Sequence, residues 1–146
     1  MSFRERSAWV MMLALLVAGV SYFRIVGSTS LALGHISPPS SGLVMAYIIS
    51  LTLIAIFGQV VIAALSPREA EAGADERDRL IAARAGSVFG HVLAIGLIGV
   101  LACYVLGPHG GTLVNGDALF QGALSSLMIA QIAEYAAQIW FYRRGL

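Results

Sequence analysis

Hydrophobic and polar residues in this 146-residue chain segregate into long blocks rather than alternating with a short period. Four apolar segments, at about 8–26, 43–65, 87–106 and 118–142, each approach or exceed the roughly 20 residues that a helix needs to cross a hydrocarbon core of about 30 Å. Inside them the only fully charged residues are Arg24, near one end of the first, and Glu134, in the fourth. Segments of this length and character are expected to be helical, because a strand facing lipid cannot pair its own backbone groups. Turn-forming stretches separate them: Ser37-Pro38-Pro39-Ser40-Ser41-Gly42, then Gly107-Pro108-His109-Gly110-Gly111. Asn115-Gly116-Asp117 makes a further turn, with Asp117 placed to cap the fourth helix. The predicted fold is a single all-α membrane domain, a four-transmembrane-helix bundle.

Composition sharpens that picture. Apolar residues make up 58% of the chain and charged residues 12%, with a mean hydropathy of +0.82. Soluble domains average about 25% charged residues, so a free-standing soluble globule is excluded as the expectation. The net charge of +1 comes from nine arginines and eight acidic residues with no lysine. That is too small to draw a polyanion, and nucleic acid is not an expected partner. The lipid bilayer is.

Arginine placement predicts the orientation. Arg4 and Arg6 precede the first segment, Arg68, Arg77, Arg79 and Arg84 lie between the second and third, and Arg143 and Arg144 follow the fourth. The stretches Gly107–Asp117 and Gly27–Gly42 hold none. Both termini and the 66–86 connection are therefore expected on the cytoplasmic side of a prokaryotic inner membrane, with two short external loops. Arg24 dissents, and its stem is expected to snorkel to the headgroups. Trp9, Trp140 and Tyr142 read as markers of the inner interface, and Tyr22, Tyr47 and Tyr104 of the outer one. The first segment has no small-x-small cleavage site near Val20–Tyr22 and is read as an uncleaved span.

Nine of the seventeen charged residues fall between Arg68 and Arg84. Ser66-Pro67-Arg68-Glu69 has the form of a capping box opening a short surface helix. Asp75 is expected to cap a second helix that passes through Glu76-Arg77-Asp78-Arg79 directly into the third segment.

Small residues recur every four positions in the third segment (Ala82, Gly86, Gly90, Ala94) and in the fourth (Ala118, Gly122, Ser126, Ala130). Helices in lipid associate through close backbone approach, so these stripes are expected either to pack on each other or to form a homodimer seam. Gln131, Glu134 and Gln138 share one face of the fourth helix. Glu134 lies about 12 Å from that helix's inner end at 1.5 Å per residue, with Gln59 and His91 at broadly similar depth. One inner-leaflet polar cluster is therefore expected, serving as hydrogen-bonded glue between helices or as a proton or cation site.

His35, His109 and Asp117 lack any metal-ligand spacing, and His91 is the sole intraspan histidine, so neither a metal nor a haem is expected. Cys103 reads as a small packing residue. No nucleophile elbow, phosphate loop or metalloprotease helix is present, and catalysis is not expected.

The run Asp75-Glu76-Arg77-Asp78-Arg79-Leu80-Ile81, followed by Ala-Arg-Ala-Gly and an apolar span, resembles a motif of small prokaryotic membrane proteins of unassigned function (the DUF2178-like group). The ending Ala-Gln-Ile-Trp-Phe-Tyr-Arg-Arg-Gly is similar to theirs. The resemblance runs from Asp75 to Gly145 and implies a four-helix membrane fold, with the acidic-basic element as a place for a partner or self-contact. Together these readings anticipate a non-enzymatic interaction protein without cofactors, a homo-oligomer or an accessory subunit of a larger membrane complex. The alternative is a small oligomeric transporter or channel working through Glu134 and His91.

The expected orientation can be tested by labelling. Single cysteines at Ser40 and Gly73 in a Cys103→Ala background should label from opposite sides of the membrane, and labelling at Gly73 from outside alone would overturn it.

Overall fold

The computed structural model describes residues 3–67, 75–107 and 115–144. Within them lie four helices: α1 (Phe3–Leu33), α2 (Ser41–Leu65), α3 (Glu76–Leu106) and α4 (Gly116–Arg144). Three of these, α1, α2 and α3, are long and apolar enough to cross a membrane. At 29 residues α4 also has the length, but it carries Gln121, Ser125, Ser126, Gln131, Glu134 and Gln138 and is less apolar than the others.

Local chemistry explains where the helices begin and end. α1 runs seven residues beyond Val26, through a stretch expected to be loop. Its polar side chains there bond to the helix itself: the hydroxyls of Ser28 and Thr29 both donate to Ile25 O at 2.9 Å, and that of Ser30 donates to Val26 O at 2.7 Å. Gly34 then stops the helix, with φ +72° and its N–H bonded to Ser30 O. A left-handed glycine is the common helix terminator, since it carries no Cβ penalty. Asp75 caps α3 through a reciprocal box, accepting from Glu76 N at 2.7 Å while its own N–H reaches Asp78 Oδ2 at 3.4 Å. The cap of α4 is Asn115, whose Oδ1 accepts from Ala118 N at 2.6 Å. Asp117 therefore sits inside the first turn and is not the cap. Ser66 ends α2. The remainder of its expected capping box, Arg68 and Glu69, lies outside the described residues.

The helices pack in the order α2, α1, α4, α3. α1 packs on both α2 and α4, and α4 packs extensively on α3, so α2 and α3 stand at the two ends. The most apolar stretch of α3 contributes no buried residue, and that of α2 almost none. The core lies between α1, α2 and α4, where Ala18, Tyr22, Val26, Tyr47 and Met128 form one buried cluster. Tyr22 and Tyr47 are thus core residues rather than interface markers, while Tyr104 is exposed.

Close approach depends on glycine. At Gly58 a Cβ would collide with Val10 Cγ1, so α1 and α2 meet there. At Gly96 a Cβ would stand 2.8 Å from Ser126 Cβ, and at Gly122 one would stand 2.9 Å from Val100 Cγ2. These two contacts join α3 to α4. The expected seam differs: Gly86 and Gly90 have open space where a Cβ would be, and Ala82, Gly90 and Ala94 are exposed. At 100° per residue Gly90 and Ala94 lie opposite the buried side of α3, which carries Ile81, Ala85 and Gly96, while Ala82 and Gly86 lie on its flank. Gly96 and Val100, bearing on Ser126 and Gly122, supply the contact instead.

Substitutions at these glycines should separate accordingly. Gly58→Leu and Gly96→Leu should lower the thermal stability of the chain in mild detergent, each by about 1–3 kcal/mol, because neither neighbour is a flexible side-chain end. Gly90→Leu should leave it unchanged in detergent that keeps the chain monomeric.

Candidate functional site

The charged helix ends form the most connected polar region. Arg4 on α1 pairs with Asp78 on α3 at 2.8 Å, and Tyr142 on α4 donates its hydroxyl to the other oxygen of Asp78 at 2.9 Å. Glu5, buried, is reached by Arg143 at 3.4 Å. The Arg143 guanidinium also lies 5.6 Å from the centre of the Trp9 ring, while Arg144 covers Trp140 at 4.3 Å. Arg6 donates to Ser66 Oγ at 3.0 Å, which ties in the end of α2. All four helices are therefore joined at this end through the first turns of α1. Asp78 takes two partners from outside its own helix and also completes the Asp75 cap. Within Asp75, Glu76, Arg77, Asp78 and Arg79, Asp75 and Asp78 thus work inside the fold. Exposure limits the strength of the ties. Arg4 keeps 41% of its side-chain surface and Arg143 61%, so screening holds each ion pair to a fraction of a kcal/mol to about 1 kcal/mol.

The five residues of the expected intramembrane cluster are distributed over three places. Gln59 forms a two-way bond with Ser7 of α1: Ser7 Oγ donates to Gln59 Oε1 at 3.0 Å and accepts from its Nε2 at 2.7 Å. His91 is exposed on α3, its Nδ1–H donating to Ser87 O of its own helix at 2.6 Å. Glu134 is half-buried on α4 and accepts from Gln138 Nε2 one turn on, at 3.5 Å. Among the described residues Gln131 has no side-chain partner. The sequence places these groups at similar depth but not on facing helices. Because α2 and α3 stand at opposite ends of the packing order, Gln59 and His91 cannot meet, and His91 makes no bond to Glu134.

The opposite end holds a buried polar group that the spacing arguments overlooked. Tyr22 donates to Gln121 Oε1 at 3.1 Å, and Gln121 Nε2 donates to Ser37 O at 3.4 Å. Ser37 N–H in turn donates to Ser30 Oγ at 2.8 Å. One buried glutamine thus connects α1, the 34–40 connection and α4. Its only sequence signal was a lone amide in an apolar run. Beside it a groove of about 600 Å³ runs between α1, α3 and α4, bordered by Phe23, Gly99, Cys103, Tyr104, Gln121 and Ser125 among others. His35 is exposed, with its ring Nδ1 3.0 Å from Ile36 O. His109 lies outside the described residues.

Searches against protein-family models, curated proteins and solved structures gave no match to this chain.

Two substitutions separate the polar end from the mid-helix carboxylate. Asp78→Ala removes an ion pair, a charged hydrogen bond and half of a capping box, and should cost about 2 kcal/mol of stability. Glu134→Gln gives up one long bond and should change stability by less than about 0.5 kcal/mol. Thermal melts in detergent micelles read both.

Proposed function

We propose that this chain is a non-enzymatic interaction subunit of a membrane, built to self-associate or to dock on a larger membrane complex through the helices at the two ends of its packing order. The observation that carries this reading is the outward side of α3. Gly90 and Ala94 are exposed there with Ala82 on the flank, and among the described residues no other helix comes within 4 Å of a Cβ at Gly86 or Gly90. Lipid chains accommodate large side chains as readily as small ones. A helix partner gains from small residues, because they let two backbones approach and gather dispersion contacts. In this reading α4 is a fourth span, enclosed by α1 and α3, and the arginine-rich ends face the cytoplasm of a prokaryotic cell. Ion or proton transport through Glu134 and His91 lacks comparable support, since each group bonds only within its own helix.

Crosslinking tests the reading. A Gly90→Cys variant in a Cys103→Ala background, reconstituted in liposomes at low protein density, should form disulfide dimers on mild oxidation. A cysteine at Gly27, also exposed and uncrowded, should not. Monomer alone from Gly90→Cys at every protein density would overturn the proposed seam.

A further inference from the structure

We propose that copies of this chain assemble head to tail, the Arg84–Ser87–His91 strip of α3 in one copy docking on the Gln131–Glu134–Gln138 strip of α4 in the next. Glu134 poses the need. Intramembrane carboxyls pair with other groups or face polar cavities. Among the described residues, however, the one hydrogen bond of Glu134 comes from Gln138 on its own helix, and Gln131 has no side-chain partner. Glu134 lies about 12 Å from Tyr142 along α4, too deep for so short a side chain to reach the headgroups. A bound proton would satisfy the carboxyl but not the Gln131 amide beside it. Leu127, one heptad earlier on the same side of α4, is exposed, so a partner can reach this side.

The complementary groups are on α3. Arg84, Ser87 and His91 repeat the spacing of three then four and are all exposed. Arg84 has no partner among the described residues. His91 gives its Nδ1–H to Ser87 O, which leaves Nε2 as an acceptor. Register matches the two strips in depth. Gly96 against Ser126 and Val100 against Gly122 fix it, each step up α3 being one step back along α4. Continued inward, it sets His91 level with Gln131, Arg84 level with Gln138, and Ser87 within one residue of Glu134. The Tyr142–Asp78 bond at the inner end keeps that register to within two residues. Copies inserted the same way share these levels. The Arg84 guanidinium then donates to Glu134 and to Gln138 Oε1 of the next copy, and that copy's Gln131 Nε2 donates to His91 Nε2.

The strips cannot meet within one chain. On α4 the strip is turned about 80–140° from Ser126, and on α3 Arg84 and His91 are turned about 60–120° from Ile81 and Ala85 in the opposite sense. On antiparallel helices those turns lead to opposite sides of the α3–α4 pair. Two copies meeting at the α4 strips about a two-fold axis would set Glu134 against Glu134. The contact is therefore heterologous and repeats from copy to copy, closing into a ring or extending into a row. It rests on the reading of α4 as a membrane span and uses a different side of α3 from Gly90.

Crosslinking between copies tests the assembly. Ile95 and Leu127 are exposed, continue the two strips and share a level. Full-length Ile95→Cys and Leu127→Cys chains, each in a Cys103→Ala background, are mixed in liposomes and mildly oxidised. The mixture should give disulfide dimers that join the two variants, while each variant alone should stay monomeric. Glu134→Gln in the Leu127→Cys copy should cut the yield about fivefold. In the Ile95→Cys copy it should leave the yield nearly unchanged, because that copy brings α3 and not α4 to the crosslinked contact. Arg84→Gln should show the reverse. A folding defect acts alike in both copies, so equal effects overturn the proposal, as does the absence of mixed dimers. A water-soluble maleimide tests the span separately: it should not label Leu127→Cys, and labelling there would take α4 out of the membrane and the proposal with it. Dimers through Gly90→Cys report on the other seam alone.

Discussion

The position of α4 constrains everything around it. It is the most polar of the four helices, and such a helix is costly beside lipid unless its amides, hydroxyls and carboxylate face protein. The packing order α2, α1, α4, α3 meets that requirement by placing α1 on one side of α4 and α3 on the other. Gln121 is buried against Tyr22 of α1, and Ser126 lies against Gly96 of α3. With α4 enclosed, the more apolar α2 and α3 are left with much of their surface outward. The exposed stripe on α3 and the groove beside Gly99 both follow from this arrangement.

Two kinds of contact hold the order together, and they divide along the helix axes. Away from the ends, close approach dominates at Gly96 against Ser126, where dispersion contacts hold the helices, and Gly58 meets Val10 beside the Ser7–Gln59 bond. At the ends, polar ties take over. Arg4, Asp78, Tyr142, Arg143 and Glu5 connect three helices at one end, and Tyr22, Gln121 and Ser37 connect two helices and a loop at the other. The charged end is partly wet, so its ion pairs are individually weak and serve to set the register of helices already packed. The Gln121 group is dry, where an unpaired amide costs more than a paired one gains.

The sequence-level errors share one cause. The Gly86-x-x-x-Gly90 spacing suits a helix contact within the chain or between copies, yet Ile81 with Ala85 and Gly96 with Val100 have the same spacing and face the chain's own helices. Periodicity defines faces, and it does not say which face meets a neighbour. The grouping of Gln59 with His91 and Glu134 failed for a related reason: depth can be counted along a helix, but azimuth and helix order cannot. Asn115 and Asp117 both have side chains suited to cap α4, and backbone geometry decides for Asn115.

What the sequence by itself determined is one-dimensional. The long apolar blocks and sparse charge specify helices of membrane-crossing length, and Asp75 followed three residues later by Asp78 specifies where α3 begins. These depend on neighbours within a turn, so they can be read along the chain. Only the tertiary structure decided that α1 lies between α2 and α4, that Tyr22 and Tyr47 are core, that Asp78 bridges Arg4 and Tyr142, and that Gly99 opens a groove while Gly96 closes a contact. Tyr22 meets Tyr47 across 25 positions and Gln121 across 99, and Asp78 meets Tyr142 across 64. Their choice depends on the summed packing of whole helices, in which glycines three residues apart on one helix carry opposite roles.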